Sequence, residues 1–209
     1  MIFLNGDSNN AWKTEFDKNT ISFMGKTEGF YSQIGQDEWV VTMSESKKNG
    51  YFLDIGAAHP TDISNSYYVE KELGWKGVCI DLGVSHYAFH SNNQINSDEQ
   101  YMDMWKQKRS SPLYITDALQ VDFDKLYEDN FPTKRLDYLS IDLSPPNVSL
   151  EFLLGFPIKK YSFDYITFET DWYSDKSTRE PSRDFLLGHG YRLAVTGEQE
   201  DWYVNKDLS

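Results

Sequence analysis

From residue 50 onward, short apolar runs alternate with helix-like stretches, and no other feature of the chain constrains its fold as strongly. Strands are predicted over 51–55, 77–82, 113–116, 136–142 and 165–169, each rich in Leu, Ile, Val or aromatic residues and bounded by Gly, Asp, Asn or Pro. Helical spacing fills the gaps between and after them. It covers 63–73, with Asp62 or Ser64 as cap and Gly74 as stop, then 97–108, 122–130, 149–154, and 182–189, closed by Gly190. A further helix over 36–46 precedes them, with Ser32 available as an upstream cap. The last two runs, 191–196 and 202–204, flank Gly197 and predict an antiparallel hairpin. Strands alternating with helices imply an α/β domain, a sheet with helices on both faces. The first 30 residues show no sustained period and read as an arm leading into one domain over 31–209.

Composition narrows the partners. Hydrophobic residues make up 39% of the chain, enough to fill a core, so global disorder is excluded. The net charge of −13 repels phosphate backbones, and the densest basic run, Lys106-Gln107-Lys108-Arg109, is too short to reverse that, so no nucleic-acid partner is expected. The single cysteine, Cys79, lies in an apolar run and reads as an inert buried thiol, in keeping with a reducing cytoplasm. No apolar run is long enough to span a membrane, and MIFLNGDSNN turns polar too early for a signal peptide.

In open parallel sheets ligands bind beyond the carboxyl ends of the strands, and here those ends are acidic: Asp54, Asp81, Asp117, Asp142 and Glu169. Asp is also what turns and helix caps select, so each one singly has a structural explanation. The segment Asp54-Ile55-Gly56-Ala57-Ala58-His59-Pro60 is the most informative. Its small residues let a ligand approach the backbone, while His59 and Pro60 break the glycine pattern of a dinucleotide loop. A carboxylate at Asp81 is suited to the two hydroxyls of a ribose. Together they imply a nucleoside without phosphates, and S-adenosylmethionine, an adenosine carrying a cationic sulfonium and an amino-acid tail, is such a ligand.

The motifs Ser32-Gln33-Ile34-Gly35-Gln36-Asp37, Gly50 to Pro60, Ser64-Asn65-Ser66-Tyr67, Gly74-Trp75-Lys76-Gly77 and His189-Gly190-Tyr191 occur in that order. Over roughly 31–205 the chain resembles the FkbM family of S-adenosylmethionine-dependent methyltransferases. The resemblance implies a class I methyltransferase (Rossmann-like) fold, seven mostly parallel strands with an antiparallel last strand, and O-methylation of a small molecule or saccharide. It further implies that Asp54, Gly56 and Ala57 line the methionine end of the cofactor. Asp81 would hold the ribose, Asp117 and Ala118 would lie near the adenine, Asn65 would open a helix beside the site, and Gln33 and Gln36 would close over it.

Where the family continues Ile-Asp-hydrophobic-Glu-Gly, this chain reads Ile141-Asp142-Leu143-Ser144-Pro145-Pro146-Asn147. Methyl transfer to a hydroxyl needs a base or a metal. Asp142, Glu169, Asp171, His59 and His189 are the remaining candidates for the base, with Asp142 or His59 foremost. Glu169 and Asp171 alone do not define a metal site, and none is predicted. Two other readings stay open. Ser-Pro-Pro is similar to the motif of methyltransferases acting on nucleobase amino groups, although Asn147 replaces the aromatic residue expected there. The altered loop also suits a non-catalytic relative that only binds.

Overall fold

The computed structural model describes residues 28–84 and 95–208, together with the backbone of three short segments nearer the amino terminus. Those segments are strands β1 (Ile2–Phe3), β2 (Ala11–Lys13) and β3 (Ser22–Met24), of which β2 and β3 form a separate two-stranded sheet. The elements that follow in chain order are α1 (Gln36–Met43), β4 (Tyr51–Ile55), α2 (Tyr67–Leu73), β5 (Lys76–Asp81), α3 (Asp98–Lys108), β6 (Leu113–Ile115), α4 (Phe123–Asn130), β7 (Arg135–Ile141), α5 (Pro146–Gly155), β8 (Ser162–Glu169), α6 (Arg179–Gly188), β9 (Tyr191–Thr196) and β10 (Glu200–Asn205).

The main sheet has the order β1-β9-β10-β8-β7-β4-β5-β6. Strands β6, β5, β4, β7 and β8 are mutually parallel, and β10 runs antiparallel to both β8 and β9. This is the class I methyltransferase order with its reversed last strand, extended by β1, which pairs with β9 as a two-residue edge. The chain winds outward from β4 to β6, then crosses back to β7 on the other side of β4. The carboxyl ends of β4 and β7 therefore flank the switch point, the crevice where such sheets receive ligands.

Side chains alternate between the two faces. Leu53, Ile55, Val78, Ile80, Leu139, Ile141, Ile166 and Phe168 pack with Leu126, Phe152, Leu153 and Leu186 of α4, α5 and α6. Phe52, Cys79, Tyr138, Tyr165 and Trp202 pack on the opposite face with Trp39, Val40, Val69 and Trp105 of α1, α2 and α3. Burying each large apolar side chain contributes about 1.5–3 kcal/mol. One row on that second face is largely polar: Cys79, Asp54, Ser140, Thr167 and Trp202 are neighbours in register across five strands.

Two local expectations change. The helix predicted over 63–73 begins only at Tyr67, because Ile63 has a positive φ of 51° and 61–66 forms an irregular turn. Ser64 Oγ still accepts the Tyr67 N–H, at 3.2 Å. The helix predicted over 149–154 starts earlier, at Pro146, since a proline lacks only an N–H that a first helical turn leaves unpaired anyway. Arg109, the last residue of the densest basic run in the sequence, is buried.

Candidate active site

Asp54 is 1% exposed at the centre of the sheet. Its Oδ2 accepts a 2.5 Å bond from Ser66 Oγ, while its Oδ1 has no hydrogen-bond partner. Burial raises its pKa, and Ser66, Arg109 and the Ser140 hydroxyl oppose that rise. A carboxylate kept in the interior with one oxygen unsatisfied costs stability unless a ligand completes it.

Gly56 makes room for a neighbouring strand. A Cβ there would lie 1.9 Å from the carbonyl oxygen of Asp142, so the glycine lets the tip of β4 lie against the tip of β7. Asp142 N donates to Ile55 O across that junction at 2.9 Å, and Gly56 N and Ala57 N donate to Ile80 O on the other neighbour, β5, at 2.9 and 3.2 Å. Ala57 is buried beside it. Asp81 ends β5 and ties two loops, its Oδ2 accepting from Ala58 N at 2.9 Å and its Oδ1 from Gly83 N at 2.8 Å. Asp117 Oδ1 accepts from Leu119 N at 2.9 Å and caps a 3₁₀ turn over Ala118–Gln120, in which Ala118 is buried.

Beyond β7 and β8, three carboxyl groups converge. Asp142 follows β7, Glu169 ends β8 and hydrogen-bonds Asp142, and Glu200 faces Glu169 as its register partner on β10. Burial, then the other carboxylates, push all three above the usual range: Asp142 to about 6, Glu200 to about 8 and Glu169 to about 11. Near neutral pH the Asp142–Glu169 pair is therefore held short of double ionisation, the two carboxyls sharing a proton. Asn65, 5% exposed, donates from Nδ2 to Ser140 Oγ at 3.0 Å and to Asp142 Oδ2 at 3.3 Å, and its Oδ1 has no partner. Glu200 accepts from Gln36 Nε2 and Trp202 Nε1, each at 2.5 Å. Gln36 thus joins the acidic group through Glu200, whereas Gln33 is exposed.

These shifts fix the pH dependence of stability. Each folded-state pKa lies above its unfolded value, so the native state binds more protons than the unfolded chain, and stability falls as pH rises from about 4 toward the folded values. Glu169→Gln removes the most shifted carboxyl yet keeps a donor for Asp142. Its melting temperature at pH 8 is expected to exceed wild type by roughly 5 °C, with a flatter slope between pH 5 and 9 in thermal denaturation.

The other base candidates are placed differently. His59 Nδ1 accepts the N–H groups of Asp62 and Thr61 at 2.7 and 3.2 Å, which turns the ring into its own loop. His189 Nδ1 bonds Phe185 O at 2.7 Å at the end of α6, where the chain enters β9, on the opposite edge of the sheet from Asp142. Asp171, with φ 40°, donates its N–H to Gln199 O at 2.9 Å beside Glu169. In the divergent loop the Ser144–Pro145 bond is cis, and Pro145 O accepts from Val148 N at 2.9 Å. Ser149 Oγ accepts from Leu143 N and donates to Leu143 O, at 2.9 and 3.0 Å. That clasp fixes the chain leaving Asp142. Among the described residues no group of three or more His, Cys, Asp or Glu is placed to hold a metal ion, and no helix is long and apolar enough to cross a membrane.

Glu200 and Arg109 escaped the sequence reading. Glu200 begins its strand rather than ending it, and only because β10 is antiparallel does that start lie at the carboxyl edge. Trp105, one turn before Arg109 on the same helical face, was the available sign that Arg109 points inward.

No family model and no curated protein matches the chain. Among solved structures, a mutant of MtNAS in complex with S-adenosylmethionine is similar over 80% of this chain at 7% identity, with a TM-score of 0.45. The chain spans 59% of the MtNAS chain. Precorrin-6y C5,15-methyltransferase from Geobacter metallireducens is similar over 88% of this chain and 92% of its own, at 12% identity and a TM-score of 0.49. The N-terminal domain of EvdMO1, determined in the presence of SAH and D-fucose, covers 86% of this chain and 88% of its own at 12% identity and 0.43. Strand order, rather than these likenesses, assigns the fold.

Proposed function

We propose that this chain is an S-adenosylmethionine-dependent methyltransferase of FkbM type that methylates a hydroxyl of a small molecule or saccharide. The observation that carries the reading is the convergence at the switch point. Asp54, with its unsatisfied buried Oδ1, and Asn65, with an unsatisfied Oδ1 of its own, lie beside the Asp142–Glu169 pair. Unsatisfied acceptors amid carboxylates fit a ligand that is cationic and rich in donors, as a sulfonium with an ammonium group is.

In this reading Asp54 and Asn65 accept from the amino-acid end of the cofactor, with Gly56 and Ala57 forming the floor. Asp81 accepts from the ribose hydroxyls, and Asp117 and Ala118 border the adenine. When bound, the cofactor supplies an electrophilic methyl group. Asp142, ionised above about pH 6, takes the proton from the acceptor hydroxyl. Glu169, raised further by burial and by Asp142, shares the proton of the pair and steadies Asp142 through it. The aspartate is thereby poised near working pH, where general-base efficiency is greatest. His59, its Nδ1 already accepting two N–H groups, shapes the loop above the site.

S-adenosylmethionine at 100 times its Kd is expected to stabilise the protein by about 2.7 kcal/mol, a rise of about 5–10 °C in Tm for a chain of this size. Asp81→Ala is expected to weaken binding at least tenfold by calorimetry, because two ribose hydroxyls lose a charged acceptor. Labelled cofactor screened against sugars, glycolipids and an oligonucleotide pool then identifies the acceptor. Absence of any thermal shift rejects the cofactor. Label on nucleic acid alone rejects the hydroxyl, and binding without label anywhere indicates a binding module.

A further inference from the structure

Arg109 follows α3 and is completely enclosed, with a side-chain exposure of 0%. Its donors are distributed over three chain segments, the 60–66 loop, α2 and β5. Nε donates to Glu70 Oε2 at 2.7 Å, and Nη1 to Pro60 O and Ser64 Oγ at 3.0 and 3.2 Å. Nη2 reaches Ser66 Oγ at 2.9 Å and Cys79 Sγ at 3.6 Å. The guanidinium carbon lies 4.9, 5.6 and 5.9 Å from the ring centroids of Trp105, Tyr67 and Phe52. Glu70 is completed by Ser110 N and Ser111 N, so the ion pair is saturated.

The direction of one hydrogen bond follows. Ser66 Oγ accepts from Arg109, so its own proton is available to Asp54 Oδ2, 2.5 Å away. Asp54 is thereby held through Oδ2, while Oδ1 has no partner at normal hydrogen-bond distance and Ser140 is the other hydroxyl acting on the carboxylate. The same guanidinium pins Pro60 and Ser64, the flanks of the loop that carries Asn65.

We infer that Arg109 is a positioning residue for the cofactor: through Ser66 it orients Asp54 with Oδ1 presented, and through Pro60 and Ser64 it fixes the loop beside it. This rests on the cofactor reading above. It also assigns Arg109 an electrostatic task. The groups facing Asp54 are Ser66 and Glu70 on the α2 side, Cys79 and Asp81 on β5, Tyr138, Ser140 and Asp142 on and just beyond β7, and Arg109 itself. Arg109 is the cation in that set. Weakening it, or the hydroxyl through which it acts, raises the pH at which Asp54 ionises, so a cationic ligand gains affinity only at higher pH.

The test is calorimetric titration of S-adenosylmethionine from pH 5 to 9 into the wild type, Ser66→Ala and Arg109→Lys, with Tm recorded for each. Ser66→Ala is expected to weaken binding roughly tenfold at pH 7 and to move the half-maximal pH upward. Arg109→Lys keeps the charge but loses the planar fork, so it is expected to lose affinity with a smaller pH displacement. If Arg109→Lys fails to fold, Ser66→Ala decides. A folded Ser66→Ala protein with wild-type affinity, or with reduced affinity and an unmoved pH profile, overturns the inference. No binding by the wild type itself removes the cofactor reading, and this inference with it.

Discussion

On the proposed function, Asp142→Asn is expected to lower the rate of methyl transfer by about 10²–10⁴-fold while leaving cofactor binding within a few-fold of wild type. The asparagine preserves the shape of the side chain and its contact with Asn65, but it cannot take a proton from the acceptor. In the wild type, kcat/KM should climb with pH through a value near 6, where Asp142 ionises under the opposing influences of burial and the Glu169 hydrogen bond. That limb should vanish in the variant. An unchanged rate with the limb intact assigns the proton to another group, and Asp171, next to Glu169, is then the one to replace.

Gly56→Ala is expected to be the most destabilising single-methyl addition in the described chain. Gly56 has a φ of 85°, which an alanine adopts only under strain, and the added Cβ meets a backbone carbonyl, Asp142 O, at 1.9 Å. A flexible side chain could swing aside; a carbonyl at the tip of a central strand moves only if the β4–β7 junction opens. The cost is expected to exceed about 4 kcal/mol, read as loss of the folded baseline or a fall in Tm of about 10 °C or more. Gly155→Ala is the control. Its Cβ meets nothing within 4 Å at the end of α5, and its effect should stay within about 1 kcal/mol. Equal effects at the two positions contradict the packing described for the switch point.

On the proposed function, the acidic edge sets function against stability. Glu169 and Glu200 are directly opposite on neighbouring strands, an arrangement that disfavours the fold when both are charged. Gln36, Trp202 and Asp142 supply hydrogen bonds that make it tolerable. A sheet selected for stability alone has no reason to place them there, and the stabilisation expected of Glu169→Gln is the measurable counterpart.

Sequence alone determined the order of strands and helices from residue 50 on, because hydrophobic periodicity, caps and breakers are local properties of the chain. It also located Asp54, Asp81, Asp117, Asp142 and Glu169 at strand tips, since a strand ends where its apolar run does. Only the tertiary structure decided which tips meet. Gln36 and Glu200 are 164 residues apart and bonded, and Arg109, which closes the densest basic run, lies in the interior, where Glu70, Ser66 and three aromatic rings surround it. Neighbours across a sheet are set by the crossover from β6 back to β7 and by the reversed direction of β10. Neither is encoded in any one segment's pattern, because both arise from pairing strands that lie far apart along the chain.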